Sequence, residues 1–165
     1  MNKTIPHSGM NFIAENTFHV ESTKAYASVK GEGIHTVEFV RIKKDALVFV
    51  EAKTSFPNPN NPELGSNENF QKAVDEICEK FIHSLHLFSS IEVGVTQESY
   101  PIDFIKPQKI LLVFLLVIKN HQHQWCTPIR QTIEENLPRY LKTIWNPTIY
   151  VINQETAINR GFVIL

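Results

Sequence analysis

The feature that most constrains the fold is an apolar run, ILLVFLLVI, at residues 110–118. The run is about half as long as a helix that spans a bilayer, so it does not predict a membrane segment. Apolar and polar residues do not alternate along it, so a strand formed by it must be covered on both faces. We therefore expect a central strand in a sheet that carries packed layers on both sides.

The rest of the chain supplies further strands for such a sheet. Turn residues separate three extended segments in the first third of the chain, and one more lies near its end. These segments cover residues 18–30, 34–42, 47–53 and 148–153. The first three predict an antiparallel meander, with a hairpin tip at residues 43–45.

Two stretches predict helices. Apolar residues recur at helical spacing over residues 67–89, and a second stripe follows Thr127-Pro128, where the hydroxyl and the proline suit a helix start. Pro138 is expected to kink that second helix. The predicted order βββαβαβ describes an α/β fold, a mixed β-sheet flanked by helices.

The remaining segments show weaker patterns. Residues 1–16 predict an N-terminal arm or a short helix, ahead of a core at residues 18–165. Residues 55–66 contain three prolines and predict a loop, and HQHQW at 121–125 predicts a polar connection rather than a metal site. We expect the 165 residues to form one domain.

Composition excludes some classes of partner. Hydrophobic residues make up 42% of the chain, charged residues 20%, and the formal net charge is −1. No basic arm or tract predicts binding to nucleic acid or to a membrane by bulk charge, so contact with nucleic acid requires a local patch. Cys78 and Cys126 show no metal-binding spacing, and the N-terminus has no apolar signal core. We expect free thiols and a cytoplasmic setting.

The third predicted strand ends in an unusual way. In LVFVEAK, Glu51 and Lys53 share one face with Leu47 and Phe49, so that this face is apolar at its start and ionic at its end. The hairpin tip pairs Glu38 with Glu51 or with a neighbour of Glu51. Two carboxylates so close repel each other unless a cation neutralises them, and Mg²⁺ or Mn²⁺ does this well. The pattern predicts a metal site with a lysine beside it.

The hairpin with VEAK at its end resembles the PD-(D/E)XK superfamily of nucleases, also called restriction endonuclease-like. The helix, strand, helix and strand that follow also resemble its common core. The resemblance implies that Glu38 and Glu51 bind Mg²⁺, that the backbone carbonyl of Ala52 is a ligand, and that Lys53 is catalytic. Glu38 departs from the usual aspartate, and Val37 stands where a proline often precedes it.

Other residues are weaker candidates for the same site. Members of the superfamily often use a polar residue on the following helix, for which Lys80 is the candidate, although a surface pair with Glu76 at i−4 is the favoured interpretation of this residue. Some use an acid before the hairpin, for which Glu21 or Glu15 is available, although both fit ordinary surface charges. Without a metal, Glu51 and Lys53 fit a plain surface ion pair.

Two functions of different classes follow. The first is a metal-dependent nuclease that hydrolyses phosphodiester bonds in DNA, with RNA as a weaker alternative substrate. The second is a catalytically inactive binding or scaffold subunit with a nuclease-like fold, which the near-neutral charge and the missing aspartate favour. The partners implied are nucleic acid, a second copy of the chain in a homodimer, or a partner subunit.

Overall fold

The computed structural model describes residues 3–60 and 65–165. Its strands are β1 (Thr4–His7), β2 (Met10–Ile13), β3 (Thr17–Phe18), β4 (Phe39–Lys43), β5 (Ala46–Lys53), β6 (Leu111–Ile118), β7 (Thr148–Asn153) and β8 (Val163–Ile164). Its helices are α1 (Lys24–Val29), α2 (Ser66–Glu92), α3 (His123–Asn136), α4 (Arg139–Trp145) and α5 (Gln154–Asn159), with a 3-10 helix at Val20–Ser22.

The larger sheet has five strands in the order β3-β4-β5-β6-β7. The β3–β4 and β4–β5 pairs are antiparallel, whereas the β5–β6 and β6–β7 pairs are parallel. The predicted mixed sheet is therefore confirmed, and the predicted bounds of β7 match the observed ones. In β6, seven of the eight residues are buried, as expected for a strand that is covered on both faces.

The β4–β5 hairpin has one of the two registers that its tip allowed. Phe39 lies opposite Val50 and Lys43 opposite Ala46, with Lys44 and Asp45 forming the turn. Lys44 has a φ of 56°, in the left-handed region that tight hairpin turns require. Glu38 lies one residue before β4, and its backbone N–H still donates to the carbonyl of Val50 at 3.0 Å. The ladder itself ends at Phe39, which is also opposite Val50, so the register does not continue to a Glu38–Glu51 pair.

The two faces of this sheet are covered by different layers. On one face, Phe49 and Phe114 pack with Phe81 of α2 and Ile129 of α3. The rings of Phe81 and Phe114 stack with their centroids 4.6 Å apart, which fills the space between helix and sheet. On the opposite face, the alternate residues of β5 pack against β2, α5 and β8. Helices thus cover one face fully, and a second sheet shares the other with α5.

That second sheet corrects the prediction for the N-terminal segment. The expectation of an arm or short helix over residues 1–16 is wrong, because β1 and β2 form a hairpin that β8 extends to three strands. Ser8 and Gly9 form its two-residue turn, with φ values of 49° and 72°. Met10 and Phe12 are buried against the larger sheet, which holds the hairpin in position.

The predicted extended segment at residues 18–30 is also largely wrong. Only Thr17 and Phe18 pair as a strand, and α1 follows after the 3-10 helix. The side chain of Thr23 accepts a hydrogen bond from the backbone N–H of Tyr26, which caps α1. Local capping by a threonine therefore prevails over the apolar pattern that favoured a strand.

Proline affects the second predicted helix in two ways. The helix α3 begins at His123, so the predicted start at Thr127-Pro128 is wrong, and HQHQW is only partly a loop. Pro128 lies in the second turn of the helix, so it lacks the N–H that would donate to the carbonyl of Gln124. At Pro138 the helix ends rather than bends, and α4 begins at the next residue.

Three further expectations concern the remainder of the chain. Of the predicted loop 55–66, residues 61–64 lie outside the described residues, and α2 already begins at Ser66. Cys78 and Cys126 are both free and buried. Within residues 3–60 and 65–165, no helix combines the length and the apolar character needed to cross a bilayer.

Candidate functional site

The carboxylate of Glu51 is the centre of the candidate site. It lies near the carboxyl end of β5, on the face that α2 covers, and its side chain is 0% exposed. One oxygen, Oε1, is 2.7 Å from the ammonium Nζ of Lys80 and 3.7 Å from Nζ of Lys53. The other oxygen, Oε2, is buried without a hydrogen-bond partner in the described residues. A buried carboxylate with one unsatisfied oxygen is rare in a folded core.

Burial controls the charge of this carboxylate. Loss of hydration raises the pKa of Glu51 to about 7, and the nearby negative charge of Glu38 adds to the rise. The ammonium groups of Lys80 and Lys53 oppose it, but they do not restore the ordinary value. Glu51 therefore gains or loses a proton near neutral pH, and a cation beside Oε2 would favour the charged form.

Lys53 is bound on both sides by carboxylates. Its Nζ is 2.8 Å from Oε1 of Glu76 on α2, in addition to its contact with Glu51. Burial lowers the pKa of Lys53, but the hydrogen bond that Lys53 donates to Glu76 and the charge of Glu51 outweigh it and raise the pKa above its usual value. Lys53 therefore stays protonated at neutral pH.

Glu38 joins the cluster from the neighbouring strand. Its Oε2 is 2.9 Å from Nδ1 of His7, and this hydrogen bond is the main reason why the pKa of Glu38 is lowered. The positive charges of Lys80 and Lys53 lower it further. The charges of Lys80 and Lys53 thus act on the carboxyl groups of both Glu38 and Glu51, whereas the direct contact of Glu38 is with His7.

The turn of the N-terminal hairpin lies over the end of β5. The hydroxyl of Ser8 donates to the carbonyl oxygen of Ala52 at 2.9 Å, and the hydroxyl of Thr54 donates to the carbonyl oxygen of Ser8 at 3.3 Å. The carbonyl of Ala52 points towards the edge where β4 has already ended, since the carbonyl of Val50 two residues earlier faces β4. A carbonyl has two lone pairs, so Ser8 leaves one of them available.

The weaker candidates divide into two groups. Lys80 belongs to the cluster, because it pairs with Glu51, and Glu76 pairs with Lys53; the expected surface pair of Glu76 with Lys80 does not form. Glu21 is exposed in the 3-10 helix and acts only at a distance, on His19. Glu15 is exposed and its charge acts on Arg41.

The donor set can be compared with the needs of a divalent cation. Two carboxylates and a backbone carbonyl suit Mg²⁺ or Mn²⁺, which take oxygen ligands and retain several waters. The unsatisfied Oε2 of Glu51 supports this fit. Within the described residues there is no group of three or more histidine, cysteine, aspartate or glutamate side chains that suits a metal ion. The protein ligands of a metal ion at this site would therefore be only the two carboxylates and the one backbone carbonyl.

The contribution of the N-terminal segment to the site was not predicted from the sequence. His7 and Ser8 reach the site because their hairpin is held by contacts with residues far along the chain. The local signal was available, since Ser-Gly between two short alternating stretches is a turn motif. His19 was missed as well; burial lowers its pKa, and it lies with its ring centroid 6.2 Å from that of His7.

Searches of protein-family models, of curated proteins and of solved structures give no match to this chain.

Proposed function

We propose that this protein is a metal-dependent nuclease of the PD-(D/E)XK type that hydrolyses phosphodiester bonds, with DNA as its substrate. The observation that carries the proposal is the buried carboxylate of Glu51, which has one oxygen beside two lysines and the other without a partner. Such an arrangement is unfavourable for stability alone, because a buried charge without full pairing destabilises the folded state. Perturbed ionisable groups of this kind concentrate at functional sites.

The topology around Glu51 supports the same proposal. An antiparallel hairpin, a long helix, a parallel strand, a helix and a further parallel strand follow one another as the superfamily resemblance implies. The carboxyl ends of the parallel strands β5 and β6 lie side by side at the edge where Glu51 is found. Ligands of open α/β sheets bind at this edge.

Each residue has a separate task in the proposed reaction. Glu51 and Glu38 supply carboxylate oxygens, and the carbonyl of Ala52 supplies a third oxygen. A bound Mg²⁺ or Mn²⁺ would lower the pKa of its water and offset negative charge on the phosphate. Lys53, held protonated by its carboxylate neighbours, stabilises the additional negative charge on the phosphate in the transition state. Water adds across the P–O bond, and the products are a phosphomonoester and an alcohol.

The first experiment measures binding of Mn²⁺ by thermal melting at pH 8, where Glu51 is ionised. We expect millimolar Mn²⁺ to raise the melting temperature of the wild type, because a ligand that binds only the folded state stabilises it. Glu51→Gln should abolish the rise. The matched control is Glu135→Gln, an exposed residue of α3, which should respond as the wild type does.

The second experiment measures cleavage of plasmid DNA, single-stranded DNA and RNA in the presence of Mg²⁺. Lys53→Ala should lower the cleavage rate at least about 100-fold, which is a typical loss when a group that stabilises transition-state charge is removed. Lys72→Ala, an exposed lysine of α2, is the control. Full activity of Lys53→Ala would show that the assigned role is wrong.

A second candidate function is a binding or scaffold subunit without catalytic activity, which recognises a second copy of the chain or a partner subunit. One observation favours it: Glu51 has no solvent exposure, and Glu38 is already engaged by His7. In that case the lysines are permanent partners of Glu51. Equal melting temperatures with and without Mn²⁺, together with no cleavage of any nucleic acid, would favour this candidate.

A further inference from the structure

The N-terminal hairpin reaches the candidate site through specific contacts. Ser8 is tied to the end of β5 by two hydrogen bonds, one to Ala52 and one from Thr54. His7 is tied by its ring, whose centroid is 5.6 Å from that of Phe39 and 6.4 Å from that of Phe12. His7 also pairs with Met10 across the β1–β2 hairpin. Its position therefore depends on both sheets.

Glu38 needs such a support. It lies before the first residue of β4, and its backbone N–H bond to Val50 fixes the main chain but not the side chain. A glutamate has one more side-chain torsion than an aspartate, so holding its carboxylate in one orientation costs more conformational entropy. The contact of its Oε2 with Nδ1 of His7, at 2.9 Å, restricts these torsions. No hydrogen bond or ion pair to Oε1 occurs in the described residues.

We propose that His7 is a positioning residue for the divalent cation: its Nδ1 holds one oxygen of Glu38, so that the other oxygen is presented to a cation shared with Glu51. The inference rests on the proposed function, since it assumes a cation at this site. Carboxylates that bind metals are themselves hydrogen-bonded, and loss of that partner typically weakens metal affinity about 10–100-fold. The β1–β2 hairpin, which packs against the larger sheet, is thus part of the site.

The alternative is that His7 and Glu38 form an ordinary, partly exposed pair that contributes only to stability. Their side chains are 21% and 28% exposed, and pairs of this kind contribute little to folding. Stability alone therefore does not distinguish the two explanations. The affinity for Mn²⁺ distinguishes the two explanations when it is measured in variants of His7 that differ in the position of one hydrogen-bond donor.

Three variants move that donor in a controlled way. His7→Asn keeps an N–H donor at the same number of bonds from the main chain as Nδ1, His7→Gln moves it outward to the level of Nε2, and His7→Leu removes it. The dissociation constant of Mn²⁺ is measured for each by isothermal titration calorimetry at pH 8, and the melting temperature is measured without metal.

We expect His7→Leu and His7→Gln to weaken Mn²⁺ binding about 10-fold or more, and His7→Asn to stay within about threefold of the wild type. In a Glu38→Gln background, His7→Leu should produce no additional loss, because the histidine acts through Glu38. Equal affinities in all three variants, or losses that follow the melting temperature rather than the donor, would overturn the inference.

Failure of the proposed function gives a different result. If the wild type and Glu51→Gln bind Mn²⁺ equally or not at all, there is no cation site on Glu51, and both the proposed function and the role of His7 are wrong. If Glu51→Gln loses Mn²⁺ binding while the three His7 variants retain it, only the role of His7 is wrong.

Discussion

Each face of the larger sheet contains one buried charge, and the two charges have different surroundings. Arg41 of β4 is 7% exposed, and its Nη1 donates to the carbonyl of Gly161 at 3.1 Å, beyond the end of α5. Its guanidinium carbon lies 5.7 Å from the ring centroid of Phe162. Glu51 of β5 is on the opposite face, where its immediate partners are the ammonium groups of Lys80 and Lys53.

The difference separates a charge that is fixed from one that titrates. Arg41 remains charged at every relevant pH, and its partners are a backbone carbonyl and an aromatic ring, which do not titrate. Glu51 titrates near neutrality, and its partners are two lysine ammonium groups, which themselves carry charge. Burial by itself therefore does not indicate function, whereas burial of a group that titrates near neutrality does.

A large effect is expected from removing the main partner of Glu51. Lys80→Met leaves a buried carboxylate without its nearest cation, and the carboxyl then stays protonated at pH 8, which limits the penalty. Because the wild-type carboxyl has a pKa of about 7, the loss of unfolding free energy at pH 8 exceeds the loss at pH 5 by no more than about 1.4 kcal/mol, so we expect about 2 kcal/mol at pH 8 and about 1 kcal/mol at pH 5. Urea unfolding at both pH values measures this, with Lys72→Met on the exposed side of α2 as the control. A loss that is the same at both pH values would contradict it.

The next prediction concerns the free energy of unfolding of the wild type and of Glu51→Gln as a function of pH. The pKa of Glu51 is raised from 4.5 to about 7, so the folded protein retains a proton that the unfolded chain has already lost. The wild type should therefore lose stability relative to Glu51→Gln as the pH rises from about 4.5 to 7, by about 3 kcal/mol in total.

This comparison removes the influence of other groups. Burial lowers the pKa of His19, His83 and His121, which makes stability rise with pH in part of the same range. Those histidines are present in both proteins, so their contributions cancel in the difference. A difference in unfolding free energy that is independent of pH would show that Glu51 has an ordinary pKa.

Replacement of Arg41, on the opposite face, should change stability in a way that does not depend on pH. Arg41→Ala removes the hydrogen bond to Gly161 and the contact with Phe162, and we expect it to lower the free energy of unfolding by about 2 kcal/mol. The loss should be equal at pH 5 and pH 8, and the response to Mn²⁺ should remain that of the wild type. Arg139→Ala, at an exposed position in α4, is the control. A change in the Mn²⁺ response of Arg41→Ala would show that the two faces of the sheet are coupled, and the contrast between Arg41 and Glu51 would then be wrong.

The smallest effect is expected at the exposed edge of the cluster. Glu76 is 48% exposed and its pair with Lys53 is largely hydrated, so Glu76→Gln should change the free energy of unfolding by only about 0.5 kcal/mol. Mn²⁺ affinity, measured by calorimetry, should also stay unchanged, because Glu76 is occupied by Lys53 rather than by the cation. A clear loss of Mn²⁺ affinity would instead make Glu76 a ligand.

The pattern of the sequence was enough to predict four strands of the larger sheet, β4 to β7. The run at residues 110–118 indicated a strand covered on both faces, and the tip at Lys43–Asp45 limited the hairpin to two registers, one of which is observed. These features depend on neighbours in sequence or on a short turn, where local geometry leaves few alternatives. The alternation along β5 likewise put Glu51 and Lys53 on one face.

The sequence by itself determined the strands β4 to β7, the long helix and the strand end where Glu51 and Lys53 lie together. Only the tertiary structure decided that Lys80 pairs with Glu51, that Glu76 pairs with Lys53, and that His7 reaches Glu38. These contacts depend on how β2 and β8 pair across most of the chain and on the angle at which α2 crosses the sheet. Such long-range packing is a sum of many small contacts, and no short stretch of sequence contains it.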